Sequence, residues 1–413
     1  MRSDTKDIAV IGSGISGLAA AWMCRQKGWQ VELFERHSEI GMLAHGLEVH
    51  GGVVDVPLRV MNARDWSSLL ALAGEVGVET FTVRVDTTCN WMDGRTWFRS
   101  GVMPLTGWPI PGGWRYLGRD AARMGLGLVR LAGVARELRD REDAPTLGEL
   151  LEESPFDDRF WRGLMLPILK TICTCDEGHL ENWPARPLLE MLRGVLHSGD
   201  LLRLKGGTRA LAEGLAKGMS IHTGCSVTEI RQEGDGIRLT TSTGAGGTYD
   251  HVIVATQANQ LDFLGGSAWD QERQVLAHVP YADGMLWVHE DLRFLPKEQQ
   301  DWGALNFLMD EEMNESMFTV HVNAVEPTLC EDLPVLQTWN PLFEPDLERV
   351  HACIPMQRAV VNSKVEEIRC RLRQWHAQPD RRLFYCGSWA GEGVPLLDSA
   401  VRSAQSVVEA ISK

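Results

Sequence analysis

Three glycines near the N-terminus, Gly12, Gly14 and Gly17, are spaced so that each has a separate structural role. The first permits a tight turn from a strand into a helix, the second lets a phosphate group approach the backbone, and the third lets the helix pack closely on the strand. The free amides and positive dipole of the helix N-terminus then face the anion. Glu35 follows at the distance at which an acid accepts hydrogen bonds from both ribose hydroxyls of an adenosine. These four residues predict a dinucleotide-binding site.

The sequence around the glycines supplies the elements that must position them. Residues 7–11 form a short apolar run typical of a buried parallel strand. Residues 18–28, with three consecutive alanines, predict a helix that packs closely on a sheet, and residues 30–35 predict a second strand. A strand, a helix and a second strand that ends in an acid make the motif far more specific than a glycine triplet alone.

The composition limits the class of protein. The 413 residues carry 41 Lys and Arg against 56 Asp and Glu, a formal net charge of −15, and this argues against nucleic acid as a partner. The length suggests two or three domains. No apolar run approaches the roughly 20 residues of a membrane span, and the first residues lack the apolar segment of a signal peptide. The nine cysteines, an odd number, indicate reduced thiols, so we expect a cytoplasmic protein.

Beyond Glu35 the sequence resembles the flavin-containing amine oxidase and phytoene desaturase superfamily. A nicotinamide enzyme usually continues into further strand–helix repeats, whereas this chain continues with a loop and two short runs, as these flavin enzymes do. The other similar segments are residues 53–55, 62–70, 76–80, 203–208, 225–230, 251–256, 382–387 and 399–404. Residues 287–291, 295–297 and 301–307 resemble a bacterial subgroup of predicted NAD/FAD-binding proteins. The resemblance implies noncovalently bound FAD.

The resemblance also implies an α/β fold, with a Rossmann-type FAD-binding domain of the glutathione reductase-like class, amine oxidase subfamily, and an interleaved α+β substrate domain. The FAD-binding domain is expected to be discontinuous, in residues 1–60, 200–265 and 380–413. The substrate-binding domain would comprise residues 61–199 and 266–379, with a helical insert whose apolar spacing in residues 116–141 predicts a long helix. The basic side of that helix either faces a lipid surface or is simply solvated.

The motif and the resemblance together assign thirteen residues to FAD. They are Gly12, Ser13, Gly14, Ser16, Gly17, Glu35, Arg36, Gly41, Val227, Ala255, Gly387, Ser399 and Ala400. In the family, the strand that runs into the last glycine and the closing helix lie against the ribityl chain and ring. The dipole of that helix would favour the negative charge of the reduced ring.

Three segments depart from the family where the phosphates and the flavin ring are expected. Gly41-Met42-Leu43 replaces a second glycine and a basic residue, so Arg36 is an alternative phosphate contact. Pro57-Leu58-Arg59 replaces glycine-rich or aromatic residues, and residues 391–398 replace a shorter signature. Arg59 is predicted to bind an anionic substrate group or to stabilise reduced flavin, and the alternative is a structural salt bridge with Asp55.

Trp389 is the second residue predicted to act at the flavin, because it follows Gly387 closely. Trp287, Trp302 and Trp339 also occur in segments expected to border the substrate cavity.

Two cysteine patterns invite other interpretations. Cys173-Thr174-Cys175 with His179 lacks the spacing of a zinc site, so we predict core thiols and no metal. Cys386 lies where a covalent flavin anchor is conceivable, and we interpret it as a buried strand cysteine.

The resemblance predicts an FAD-dependent oxidase or dehydrogenase that takes hydride from a C–H bond of a mostly apolar small molecule. The reaction would be amine oxidation or C–C desaturation in a biosynthetic pathway, with O2 or another acceptor reoxidising the flavin. A flavin-dependent isomerase or cyclase without net redox change, and a non-catalytic FAD-binding protein, stay open as alternatives. No nucleic acid and no transmembrane segment are expected, and a homodimer is an option. The sequence does not choose the substrate.

Overall fold

The computed structural model describes residues 5–41, 46–102, 109–197, 201–330 and 332–413. Within these ranges it contains twenty strands and twelve α-helices. The strands are β1 Asp7–Ile11, β2 Gln30–Phe34, β3 Gly46–Val49, β4 Gly52–Asp55, β5 Thr80–Val83, β6 Thr87–Trp91, β7 Thr96–Val102, β8 Pro109–Pro111, β9 Leu201–Leu204, β10 Ser220–His222, β11 Val227–Glu233, β12 Gly236–Thr241, β13 Thr248–Tyr249, β14 His251–Val254, β15 Tyr281–His289, β16 Leu305–Met309, β17 Ser316–His321, β18 Leu336–Trp339, β19 Val350–Ala359 and β20 Leu383–Tyr385. The helices are α1 Ile15–Gln26, α2 Ser67–Glu75, α3 Arg119–Asp140, α4 Leu147–Glu153, α5 Asp158–Phe160, α6 Leu166–Cys173, α7 Glu177–Glu181, α8 Ala185–His197, α9 Gly207–Ala216, α10 Asp270–Leu276, α11 Ser363–His376 and α12 Leu397–Ser412.

A five-stranded parallel sheet carries the N-terminal motif. Its strand order is β10-β2-β1-β14-β20, and every neighbouring pair is parallel. The central strand β1 is buried on both faces, because Ile8 and Val10 pack into one apolar cluster while Ala9 and Ile11 pack into another. Burial on both faces is the reason that such strands consist of continuous apolar runs. The predicted α/β fold class is confirmed.

A second, eight-stranded sheet lies in the order β19-β15-β18-β17-β16-β6-β7-β8. The pairing of β16 with β6 is parallel, and the neighbouring pairs are antiparallel. Its apolar side chains, such as Leu286 and Phe307, share one core cluster with residues of the helical insert, among them Leu131 and Trp183. The sheet and the insert therefore enclose a common interior.

Helix α3 is the long helix of the insert, and its inner side packs on this interior. Met124 and Leu131 are buried, whereas Leu126 and Val129 are each 74% exposed. The basic side is also exposed, at Arg130 and elsewhere. Among the described residues, no helix combines the length and the apolar character needed to cross a membrane.

Candidate functional site

The glycine turn after β1 has the geometry that its sequence predicts. Gly12 has a φ of +97°, which residues other than glycine rarely adopt. A Cβ on Gly17 would lie 1.9 Å from the carbonyl oxygen of Gly12, so helix and strand approach as closely as backbone allows. A Cβ on Gly14 would meet nothing within 4 Å, and the space above this glycine is open.

Glu35 is buried beside this turn and is held by protein donors. Its Oε2 accepts from the Ser13 amide at 2.8 Å and the Ser13 hydroxyl at 2.6 Å, and its Oε1 accepts from the His37 amide at 2.9 Å. The amide of Gly41 donates to the Ser13 hydroxyl at 2.6 Å. Since a carboxylate offers about four acceptor positions, about one is left for a ligand, fewer than the two ribose contacts predicted.

The first turn of α1 is open to an anion. No side chain caps this helix and no acidic residue occurs in its first turn, where Ser16 is buried. A helix N-terminus of this kind favours a bound negative charge. Arg36 is exposed, and its Nε lies 3.2 Å from the ring of His37. Met42 and Leu43, the departure from the family pattern, lie outside the described residues.

Two predicted residues from distant parts of the chain lie next to the turn. The amide of Cys225 donates to the Glu35 carbonyl at 2.8 Å, which brings the start of β11 at Val227 beside the acid. The amide of Ala255 donates to the Ile11 carbonyl at 2.8 Å, directly before the glycine turn. Ala255 therefore lies at the C-terminal end of β1, and Val227 begins β11, in a separate antiparallel sheet, two residues after the contact with Glu35.

The C-terminal residues form a second group around the start of α12. The hydroxyl of Ser403 accepts from the Gly387 amide at 2.9 Å and donates to the Gly387 carbonyl at 3.0 Å. Ser399 and Ala400 are buried, and the Ser399 hydroxyl bonds the backbone of Leu396. The Ser403 bonds hold Gly387 against the second turn of α12, and the Ser399 hydroxyl in the first turn lies 3.2 Å from the Ser388 carbonyl.

Cys386 and Trp389 flank that loop inside the core. Cys386 is fully buried, and burial raises the pKa of its thiol to about 12. Trp389 is 3% exposed, and its indole donates to the Thr256 carbonyl at 3.1 Å. Within the described chain it does not belong to the cavity wall described next, whereas its neighbour Ser388 does.

A cavity of about 740 Å³, here named the central cavity, lies between the two sheets and the helical insert. One wall consists of Pro57, Leu58 and Arg59, and the wall near the parallel sheet consists of Ser388 and residues 395–397. The remaining walls are mainly apolar. They include Met124, Leu128, Leu164, Ile168, Ile172, Leu286, Phe318, Val320 and Trp339. The size and the lining are those of a site for a small apolar ligand.

Arg59 reaches the central cavity from a firmly held backbone. Gln337 of β18 accepts from the Leu58 amide at 2.8 Å and donates to the Asp55 carbonyl at 2.7 Å. The carbonyl of Arg59 accepts from Arg203 at 3.3 Å. The pKa of the Arg59 guanidinium is lowered to about 10, mainly by burial, which the charge of Asp55 opposes and the charge of Arg358 assists.

Asp55 itself is engaged elsewhere. Its Oδ1 accepts from the amide and the hydroxyl of Thr208, each at 2.8 Å, and its Oδ2 lies 3.5 Å from Arg203. Arg203, which is 1% exposed, also pairs with Glu326 at 2.6 Å. Within the described chain, the salt bridge predicted as the alternative role of Arg59 is therefore made by Arg203.

Sequence reasoning missed Arg358, which lines the central cavity from β19. No local signal marks it, because its position depends on the pairing of β19 with β15. Of the four tryptophans expected at the cavity, Trp339 belongs to its wall. Trp302 instead donates to the Pro296 carbonyl at 2.8 Å.

Two groups of described residues bear on metal binding. Cys173 and Cys175 are buried, and His179 is exposed and bonded to Asp176. A separate group that the sequence did not indicate consists of His50, Glu290 and His351. The ligand atoms of that group lie within 4.8 Å of one another, a spacing that could hold a metal ion, and the group is not part of the central cavity wall.

Comparison with known proteins connects this geometry to a family. A Mycobacterium tuberculosis protein named "Putative flavin-containing monoamine oxidase AofH" is 26% identical over 290 residues, 66% of this chain and 62% of that protein. The chain thus spans less than two thirds of the length of this relative. The 1-hydroxycarotenoid 3,4-desaturase of a Flavobacterium species is 34% identical over 92 residues, which are 22% of this chain and 19% of the enzyme.

Solved structures share the whole fold. The CLA-producing fatty acid isomerase from P. acnes superposes with a TM-score of 0.68 at 17% identity, over 99% of each chain. The sequence model of the family described as "Flavin containing amine oxidoreductase" matches residues 15–277, more than half of the chain. On the evidence of the glycine turn, the two sheets and this match, the chain belongs to the flavin-containing amine oxidoreductase family.

Proposed function

We propose that the protein is an FAD-dependent oxidoreductase that removes hydride from a C–H bond of a mostly apolar small molecule. The observation that carries this proposal is the central cavity, whose apolar walls meet the loop and helix start at Ser388 and Leu397. The resemblance assigns those segments to the flavin ring. FAD supplies the hydride acceptor when bound, and O2 or another acceptor restores it.

The residues present fit FAD. The open space at Gly14 and the uncapped first turn of α1 suit a pyrophosphate. Glu35 and the segment at Val227 suit the adenosine, while Gly387, Ser399 and Ala400 suit the ribityl chain and ring. Cys386, a buried thiol with a raised pKa, is poorly reactive, which supports noncovalent binding. We also propose the division into an FAD-binding and a substrate-binding domain at the expected boundaries.

The chain itself contributes orientation and exclusion of water. Trp339 and Phe318 offer rigid apolar surface to a substrate, and the firm backbone of residues 57–59 limits movement of the opposite wall. A dry site strengthens each electrostatic contact within it. A substrate held in a fixed orientation reacts over a lower activation barrier, and the side chains need not take part in the bond changes. The relatives named above include an amine oxidase, a desaturase and an isomerase, so the class of product is open to experiment.

The test is anaerobic reduction of the FAD-loaded protein by a panel of amines, fatty acyl compounds and polyenes. We expect one class to bleach the flavin absorption. Gly125→Trp should slow bleaching by about tenfold or more, equivalent to about 1.4 kcal/mol, because Gly125 lines the central cavity and its Cβ position is free. Gly133→Trp, in the same helix and also with a free Cβ position, is the matched control.

Two results would contradict the proposal. If the protein holds FAD and no compound bleaches it, a non-catalytic flavin-binding protein is the better account. If product forms only after reduction with dithionite and no acceptor is consumed, the protein is an isomerase or cyclase without net redox change.

A further inference from the structure

The central cavity is lined by three arginines without a salt bridge among the described residues: Arg84, which is exposed, and Arg59 and Arg358, which are partly buried. Arg59 and Arg358 both line it, and neither guanidinium has a carboxylate within 4.0 Å in the described residues. Arg59 donates to the uncharged carbonyl of Pro57. Isolated charges in an apolar environment are costly, and proteins usually pair them.

The carboxylates nearest to the central cavity are already engaged. Asp55 accepts two hydrogen bonds from Thr208 and lies against Arg203. Asp86, which lines the cavity, pairs with Arg99 at 3.1 Å. Asp65, the other lining acid, is hydrogen-bonded within its own turn. These acids therefore form no salt bridge with Arg59 or Arg358, although the charge of Asp55 partly offsets that of Arg59.

The thiols near Arg358 do not offset it either. Burial raises the pKa of Cys173 well above its usual value and that of Cys175 to about 12, so both are neutral at physiological pH. Arg59 and Arg358 line the same cavity, and burial, followed by the charge of Arg358 and opposed by Asp55, lowers the pKa of Arg59. The thiols therefore leave the guanidinium of Arg358 without a negative partner among the described residues, in a mainly apolar cavity.

We propose that Arg59 and Arg358 together bind the carboxylate of a substrate whose remainder is apolar. The guanidinium group matches a carboxylate with two parallel hydrogen bonds, and such charge-assisted bonds are strong where water is excluded. The apolar part of the molecule would lie among Leu164, Ile168 and Phe318. This inference rests on the proposed function, which makes the central cavity the substrate site.

The backbone at both arginines is held in place, although Arg59 lies in the loop between β4 and α2. Gln337 and Arg203 bind the backbone on both sides of Arg59. Arg358 stands opposite Ala282 in the ladder between β19 and β15. A backbone held in this way preorganises a site, so part of the cost of ordering the arginines is met on folding.

The test measures the binding of three matched probes to the FAD-loaded protein by calorimetry. They are dodecanoate, dodecan-1-ol and dodecylamine, which share an alkyl chain and differ in charge. We expect dodecanoate to bind about tenfold or more tightly than the alcohol, equivalent to about 1.4 kcal/mol, and the amine to bind most weakly. Equal binding of the three probes, or preference for the amine, overturns the inference.

Variants locate the effect. Arg59→Met and Arg358→Met should each abolish the preference for dodecanoate without lowering the thermal midpoint of the probe-free protein, because each removes an unpaired charge. Arg349→Met, which removes a surface pair with Asp346 at 3.5 Å near the start of β19, should keep the preference. The preference of the unaltered protein for dodecanoate over the alcohol tests the proposal even if a variant fails to fold.

Two further readouts separate the possible roles. If the arginines serve reduced flavin instead, the variants lower the flavin midpoint potential and leave dodecanoate binding unchanged, and the inference is overturned. A preference for dodecanoate without bleaching by any compound supports the carboxylate site and contradicts the proposed oxidation. Bleaching by uncharged or cationic compounds alone supports the oxidation and contradicts the carboxylate site.

Discussion

Alanine at Gly17 should destabilise the fold and alanine at Gly14 should not, although both glycines belong to one motif. At Gly17 the new Cβ would lie 1.9 Å from the Gly12 carbonyl oxygen, whereas real Cβ contacts stay beyond 3.0 Å. Helix α1 would have to move away from β1 by roughly an ångström. Overpacking of this kind costs about 1–3 kcal/mol. We therefore expect Gly17→Ala to lower both the thermal midpoint of the FAD-free protein and its FAD affinity.

At Gly14 the new Cβ would meet nothing within 4 Å. The φ of −58° at this N-cap position is also compatible with alanine. We expect Gly14→Ala to leave the stability of the FAD-free protein nearly unchanged and to weaken FAD binding by about tenfold or more, equivalent to about 1.4 kcal/mol. The reason is that a pyrophosphate needs close approach to this part of the backbone.

The assay combines thermal unfolding of FAD-free protein with titration of added FAD, followed by flavin fluorescence. The reasoning is refuted if Gly14→Ala binds FAD as tightly as the unaltered protein, because the open space would then serve no ligand. It is also refuted if Gly17→Ala unfolds at an unchanged temperature. Gly74→Ala is the control for a glycine-to-alanine change, because Gly74 is exposed and a Cβ there would meet nothing within 4 Å.

Three further changes test other parts of the structure. Arg203→Met leaves two carboxylates buried without their cation, so chemical denaturation should reveal a loss of about 3–5 kcal/mol. Burial lowers the pKa of His376 to about 3, below its unfolded value of about 6.5. The contribution of His376 to stability is present above pH 6.5 and is lost as the pH falls towards 3. His376→Gln should therefore make the free energy of unfolding depend less on pH over this range. His278→Gln, at an exposed site, should leave that dependence unchanged. A Cβ on Gly284 would lie 1.9 Å from the ring of Trp339, so Gly284→Ala should displace this wall of the central cavity and slow flavin reduction, and an unchanged rate would refute this role.

Local elements were predictable because their signals are local. The apolar run of residues 7–11 became β1 at Asp7–Ile11, and the helical spacing of residues 116–141 became α3 at Arg119–Asp140. The glycine turn depends on contacts within a few residues, apart from its acid. Sequence reasoning therefore reached the fold class and the dinucleotide motif.

The central cavity was not predictable in the same way, because it depends on pairing between distant segments. Gln337 fixes the backbone near Arg59 from almost the other end of the chain, and Arg358 reaches the same space from β19. Arg203, and not Arg59, lies within salt-bridge distance of Asp55. Closeness in sequence also misleads. Trp389 follows Gly387 by two residues but is buried in the core, and Ser388 lies in the cavity wall instead.

The absorption spectrum of the purified protein, recorded before and after acid precipitation, tests the central claim most directly. The account predicts the two bands of an oxidised flavin in the native protein and their transfer to the supernatant with the released FAD. Colour retained in the pellet would contradict noncovalent binding and point to Cys386. A colourless protein that also fails to take up added FAD would contradict the flavoenzyme account as a whole.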